Sequence, residues 1–356
     1  MAEVNVSPEI LQWAVNRSEK LEAVMHKFPK WYKWISGESN PTLKQLESLA
    51  KMTSTPLGYF FLKEPPIEKL PIPHFRTVNG NSDPIAPSPD LLDTVQMMER
   101  RQKWLHEYLA DQKYDYLKFV GSKSINDNPI SIAREIKETL GLKDGWAAKF
   151  STWQDALRDL FNKVDEARIL LVVNGVVGNN THRRLDVNEF RGFVLVDEYA
   201  PLIFINGADG KAAQMFTLAH ELAHVWYGSS AAFDLRELHP ANNQTEIACN
   251  KVAAEFLVPE EEFFKIWPQI ESNDNRFQKL AKQFKVSEIV AARRALDLKM
   301  ITSDQFFEFY YNRITTEAKN NSSGGNFYST QTFRIGRRFG EAIITAAKEG
   351  KILYNE

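Results

Sequence analysis

His220, Glu221 and His224 stand as His-Glu-x-x-His within "MFTLAHELAHVWYGSS", residues 215–230. On a helix, residues four apart share a face, so two imidazoles reach one ion while Glu221 points to its edge. Metal-assisted activation of water requires that arrangement. Chance is a weak rival: with seven histidines in 356 residues, the pattern arises on the order of 0.01 times per chain. A pair of hydrogen-bonded core histidines is the bland alternative. A catalytic metal also needs a third protein ligand and a position open to water.

The next stretch, "NNQTEIACNKVAAEFLVP", offers that ligand. Its pattern predicts a helix over Thr245–Leu257, stopped by Pro259, with Glu246 in the first turn. Without the histidines, Glu246 reads as an N-terminal carboxylate favoured by the helix dipole. Asn250, four residues on, shares the face of Glu246 and is placed to orient a ligand histidine. Cys249 competes for the ion, but its apolar neighbourhood reads as that of a buried structural thiol. Asp234, Glu237 and His239 fall in the connecting loop, a solvated polar turn, and stand as reserve ligands.

The elements that must position these residues follow from periodicity. The metal helix is predicted over Lys211–Tyr227. Before it, "RILLVVNGVVG" and "RGFVLVDEYAPLIFING" read as short β-branched strands joined by polar turns. The "PLIFIN" strand has two roles open to it: an edge that pairs with an extended substrate backbone, or an ordinary core strand. Upstream, residues 1–63 read as a helical module. In it Ser7-Pro8 starts one helix, with Ile10, Leu11, Trp13 and Ala14 as a buried stripe, and a later helix carries Leu43, Leu46, Leu49 and Ala50. Seven prolines between Pro65 and Pro89 mark residues 64–90 as a stiff arm or linker. Residues 91–165 read as helical, 166–270 as the metal-bearing core and 271–356 as a helical region in which "KNNSSGGN" is a mobile loop. The fold class is α+β, mostly helical with a small mixed sheet.

Composition narrows the function. A formal charge of -2 argues against a protein that coats nucleic acid or membrane along its length. One cysteine excludes an intramolecular disulfide framework. No stretch approaches the ~18 apolar residues of a membrane span, and no leader pattern opens the chain, so the expected location is cytoplasmic.

"FTLAHELAHVW", followed by "TEIACNKVAAEFLVP" and preceded by "RRLDVNEFRGFVLVDEYAPLIFIN", resembles the ImmA/IrrE family of zinc metalloendopeptidases. The likeness extends to "LPIPHFRTV" and to "GGNFYSTQTFRIGRRF". The family implies a gluzincin-like core with zinc on His220, His224 and Glu246, Glu221 as general base, and a narrow protein substrate, typically a DNA-bound repressor. The tetrahedral intermediate needs a further donor, for which His182, Tyr199 and His239 are candidates of equal rank. "WISGESNPTLKQL" with "LESLAKMTSTPLGYFFL" resembles the latter half of a Cro-like (XRE-type) helix-turn-helix. Yet "FPKWYKWIS" puts aromatics where base-reading polar side chains belong, and residues 1–63 carry eight Lys/Arg against six Asp/Glu. Packing or partner docking is the favoured use of this module, with operator binding the alternative. "LAKQFKVSEIVAARRALDLKMI" also has helix-turn-helix spacing, which ordinary helical packing explains more simply. Rival functions are a DNA- or protein-binding regulator that keeps the peptidase core as a sensor, and a toxin-like protease.

Overall fold

The computed structural model describes residues 3–68, 70, 87–233, 244–317 and 333–353. The chain divides into two compact units, Met1–Pro71 with Arg76–Met97 and Ile72–Phe75 with Met98–Glu356. Residues 71–78 of "LPIPHFRTV" and the whole of "KNNSSGGN" lie outside the described residues, as do Asp234, Glu237 and His239.

The first unit is built from α1 (Pro8–Ser18), α2 (Leu21–Lys27), α3 (Trp31–Ile35) and α4 (Leu43–Thr53). Ser7 precedes α1 and Pro8 opens it, where a missing N–H costs nothing. Thr42 and Gln45 form a reciprocal capping box that fixes the start of α4. Ile10, Leu11 and Ala14 are buried with Leu46, Leu49, Trp31, Trp34 and Phe60. Trp13 is only half-buried and packs on Tyr59 at 6.1 Å. Leu43, expected on the apolar stripe, is 45% exposed: it is the first residue of α4, where the helix has not yet turned onto the core. Phe28, Trp31 and Trp34 are all core residues, so three of the four aromatics of "FPKWYKWIS" are spent on packing.

The second unit holds a four-stranded sheet. Its strands are β1 (Leu170–Asn174), β4 (Gly192–Leu195), β5 (Leu202–Asn206) and β6 (Ala231–Phe233), in the order β1-β5-β4-β6. β1 and β5 are parallel, while β5–β4 and β4–β6 are antiparallel. β2 (Val176–Val177) and β3 (Asn180–Arg184) form a separate antiparallel pair. This is the small mixed sheet of an α+β fold. Of the two roles open to "PLIFIN", the core role is found: β5 is buried throughout and paired on both sides, which leaves no ladder edge for a peptide. The edges fall to β1 and β6.

The helices from here on are α5 (Pro89–Asp111), α6 (Pro129–Thr139), α7 (Trp153–Glu166), α8 (Lys211–Tyr227), α9 (Gln244–Leu257), α10 (Glu260–Ile266), α11 (Arg276–Phe284), α12 (Glu288–Asp297), α13 (Ser303–Glu317) and α14 (Arg337–Lys348); α7, α8 and α14 pack on the sheet, and α6 and α9 pack on α8. The second half of α5 pins the β4–β5 turn. Gln102 donates to Leu195 O at 2.7 Å and to Ala200 O at 3.0 Å, and His106 Nδ1 lies 2.8 Å from Asp197. The core beneath is apolar and continuous, drawing Leu171, Ile203 and Ile205 from the sheet, Leu218 and Leu222 from α8, and Val252 and Phe256 from α9. At roughly 25 cal/mol per Å² of apolar area removed from water, this burial is the main force setting α8 against the sheet. α8 stops at Gly228, whose φ of +69° a side chain would resist and whose Cα faces Gly121, leaving 2.9 Å for any Cβ. Among the described residues no helix is long and apolar enough to cross a membrane.

One buried ion pair locks the end of α9. Arg294 of α12 pairs with Glu255 and donates from Nε to Val258 O at 3.0 Å, while Glu255 accepts the N–H of Glu260 at the start of α10 at 3.2 Å. Removing one partner strands the other charge in the interior. Glu255→Ala is expected to lower the unfolding free energy by about 3–5 kcal/mol, read from urea denaturation followed by tryptophan fluorescence. A loss within ~0.5 kcal/mol would show that the pair is solvated and structurally idle.

Candidate metal centre

The site is carried by α8 and α9. From Gln214 to Trp226 α8 is buried at every position except Phe216, because the sheet covers one side and α9 the other. Thr217, His220, Glu221 and His224 therefore sit in the interior, each 0% exposed. Their spacing of three and four residues sets them on one stripe of the helix.

The two imidazoles meet at their Nε2 atoms, 3.0 Å apart. Glu246, in the first turn of α9, brings its carboxylate to the same spot: Oε2 is 3.1 Å from His220 Nε2, and Oε1 is 3.2 Å from His224 Nε2. Three donor atoms on a tetrahedral ion with bonds of ~2.0–2.1 Å are spaced ~3.3 Å apart, so the separations suit one small cation. Asn250, one turn beyond Glu246, presents Oδ1 to His220 Nδ1 at 3.0 Å. With the amide oxygen as acceptor, Nδ1 carries the proton and Nε2 turns its lone pair toward the shared point.

Electrostatics sharpen the set. Burial above all lowers His220 to about 4, which keeps the imidazole neutral and available as a ligand. Glu246 is also desolvated, but its close contacts with the two imidazoles outweigh that cost and hold its carboxyl at about 2, so it is ionised. Glu221 differs: burial, followed by repulsion from Glu246, raises it well above the usual carboxylate range. Both of its oxygens are buried and without a hydrogen-bond partner among the described residues, an arrangement suited to a group that exchanges a proton with something bound.

Cys249 is close as well. Its Sγ and the imidazole nitrogens of His220 and His224 lie within 4.8 Å of one another, near enough to share an ion. The Glu246 contacts are tighter, and burial pushes the Cys249 thiol up so that it keeps its proton. Glu246 is thus the nearer group to both imidazoles and the one already ionised, with the Cys249 thiol behind it.

Residues 173–296 match the family model described as the IrrE N-terminal-like domain, Peptidase_M78. That span holds β4, β5, α8 and α9, hence every residue of the cluster. The match supports the ImmA/IrrE family and a metallopeptidase-type function for the second unit. Curated proteins yielded no match to the chain.

The structure thus brings together His220, His224, Glu246, Glu221 and Asn250. It treats the candidate oxyanion donors differently. His182 lies on the exposed β3, its backbone N–H on Asn180 Oδ1 at 3.0 Å. Tyr199 packs edge-on against His106 with centroids 5.1 Å apart, and its N–H goes to Asp197. Neither makes a hydrogen bond to Glu221 or Glu246. His239 lies outside the described residues. Gly192 and Thr217, which stand beside Glu221, are not marked by any motif in the sequence. The available signal was a glycine opening an otherwise apolar strand.

The sign of a pH effect follows from His220. Its folded value of about 4 lies below 6.5, the value of a free imidazole, so the unfolded chain binds the proton more readily. The resulting stability is complete above 6.5 and is lost as pH falls through the folded value; Glu246 at about 2, against 4.5 when free, adds to the loss at still lower pH. Chelator-treated protein is expected to lose about 3 kcal/mol of unfolding free energy between pH ~7 and ~4 in urea titrations. A flat profile would mean that His220 is solvated in the metal-free state.

Proposed function

We propose that the chain is a cytoplasmic zinc-dependent endopeptidase acting on a narrow protein substrate, a helix-turn-helix repressor, in stress response or mobile-element regulation. The observation that carries this reading is the convergence of His220 Nε2, His224 Nε2 and the Glu246 carboxylate within 3.0–3.2 Å, with the unpartnered Glu221 carboxylate on the same helix stripe. Two imidazoles and one carboxylate form a three-ligand set typical of catalytic zinc, with a fourth position left for water. When bound, zinc supplies acidification of that water and polarisation of the scissile carbonyl.

The chain's own residues do the rest. His220, His224 and Glu246 hold the ion, and Asn250 fixes the tautomer of His220. Glu221, whose affinity for a proton is raised by burial, accepts one from the attacking water and returns it to the departing amine. In the metal-free protein burial favours the proton-bearing form of Glu221; a cation held by His220, His224 and Glu246 would offset that and leave the carboxylate able to take the proton. The N-terminal unit serves substrate docking in this reading. Its small excess of positive charge and its buried aromatics favour a protein partner over operator DNA.

Glu221→Gln is the decisive variant. The expected outcome is roughly one zinc per chain retained, loss of all proteolysis, and capture of an intact helix-turn-helix repressor that wild type shortens. If Glu221→Gln kept every cellular effect while an N-terminal truncation abolished it, the sensor-scaffold reading would replace the enzyme. Growth arrest by wild type but not by Glu221→Gln would indicate a broad, toxin-like protease. In parallel, Asn250→Ala is expected to weaken zinc affinity about 10–100-fold by competitive chelation, and Glu246→Ala to weaken it further. Equal affinities for Asn250→Ala and wild type would remove Asn250 from the site.

A further inference from the structure

Gly192 opens β4 directly beneath the metal helix. Its φ lies outside the left-handed region, so an L-residue is conformationally allowed there. Space is what excludes one. A Cβ at this position would come within 2.6 Å of Thr217 Cγ2, 2.9 Å of Phe204 O and 3.2 Å of Glu221 Oε1. The Phe204 oxygen belongs to the neighbouring strand, and the pairing of Gly192 with Ile205 fixes that distance. Thr217 is β-branched and buried on a helix, which confines it to two side-chain rotamers, and the one present sets its methyl against Gly192. No neighbour yields cheaply, and the vacant side of Gly192 is where Glu221 Oε1 comes to rest.

Thr217 contributes a second feature. It precedes Glu221 by one helical turn, and its hydroxyl is buried without a partner among the described residues. Both oxygens of Glu221 are in the same condition. An orphaned donor and an orphaned acceptor stand one turn apart, on side chains that both reach Gly192, Thr217 through its methyl and Glu221 through Oε1. Turning Thr217 to its other rotamer would point the hydroxyl elsewhere, and the two groups are complementary. Native interiors rarely leave such a pair idle.

We propose that Gly192 and Thr217 are positioning residues for Glu221: the missing side chain at 192 leaves the slot that receives Oε1, and the Thr217 hydroxyl is the donor that holds the carboxylate there in the loaded site. The inference rests on the metallopeptidase reading and deepens it. Neither residue touches the reacting atoms. Each sets where the base stands, and a displacement below 1 Å matters because proton transfer requires hydrogen-bond contact.

The test needs no natural substrate. Acetohydroxamic acid chelates a metal at its open position and shares its acidic proton with an adjacent carboxylate, so its affinity reports where Glu221 stands. Zinc-loaded full-length wild type, Glu221→Gln, Gly192→Ala, Thr217→Val and Thr217→Ser are compared by calorimetry, with zinc content measured for each. Glu221→Gln sets the scale with a loss of about tenfold. Gly192→Ala and Thr217→Val are expected to show similar losses with zinc content unchanged, and Thr217→Ser, which keeps the hydroxyl, to bind as wild type does. Wild-type affinity in both Gly192→Ala and Thr217→Val overturns the proposal, and wild-type affinity in Thr217→Val alone removes the hydrogen bond from it. Should Gly192→Ala fail to fold, the Thr217→Val and Thr217→Ser pair decides. A wild type that takes up no zinc, or a Glu221→Gln variant with undiminished affinity, instead sinks the metallopeptidase reading, and neither result involves Gly192 or Thr217.

Discussion

Four ionisable side chains, His220, Glu221, His224 and Glu246, are buried at one point between two helices, and the rest of the second unit is arranged to tolerate this. Charges taken from water are costly unless paired or neutralised. The protein uses both remedies: Glu246 is ionised against two imidazoles, His220 stays neutral, and Glu221 is driven toward its protonated form. A close-packed apolar shell from β5, α8 and α9 then prevents the groups from relaxing outward. A metal ion would resolve the same crowding in one step, by replacing mutual repulsion with shared coordination.

The motif was legible because its geometry is local. His220, Glu221 and His224 lie within five residues, and helical periodicity alone sets their faces. Glu246 and Asn250 could be read because they stand one turn apart on one face of the helix that follows the metal motif. What could not be read depends on distant neighbours. Strand order is a long-range property, so "PLIFIN" could be recognised as a strand but not as one enclosed on both sides. β3, "NTHRR", is polar and exposed and lacks the alternation that marks a strand. Gly192 carries no side chain to announce itself, and its meaning lies in the atoms opposite it.

The first unit shows the converse. Its capping box and proline start were written locally, and the helices begin where those signals stand. The use of its aromatics was set by burial. Trp31 and Trp34 are enclosed while Tyr32, between them, is 61% exposed, the outcome expected when a short helix turns one face inward. A helix of five residues held by two tryptophans owes its shape to packing more than to propensity.

Cys249 has a consequence of its own. A thiol beside two imidazoles is usually an invitation to soft metals, since thiolate sulfur favours copper(I) over harder ions. Here the sulfur is sealed in apolar surroundings and keeps its proton, whereas the carboxylate one turn away is fully ionised. The neighbourhood therefore offers nitrogen and oxygen first and sulfur last. In the metal-free protein the groups already without a proton are thus nitrogen and oxygen, and the sulfur would have to give up its proton to an ion before it could serve beside them.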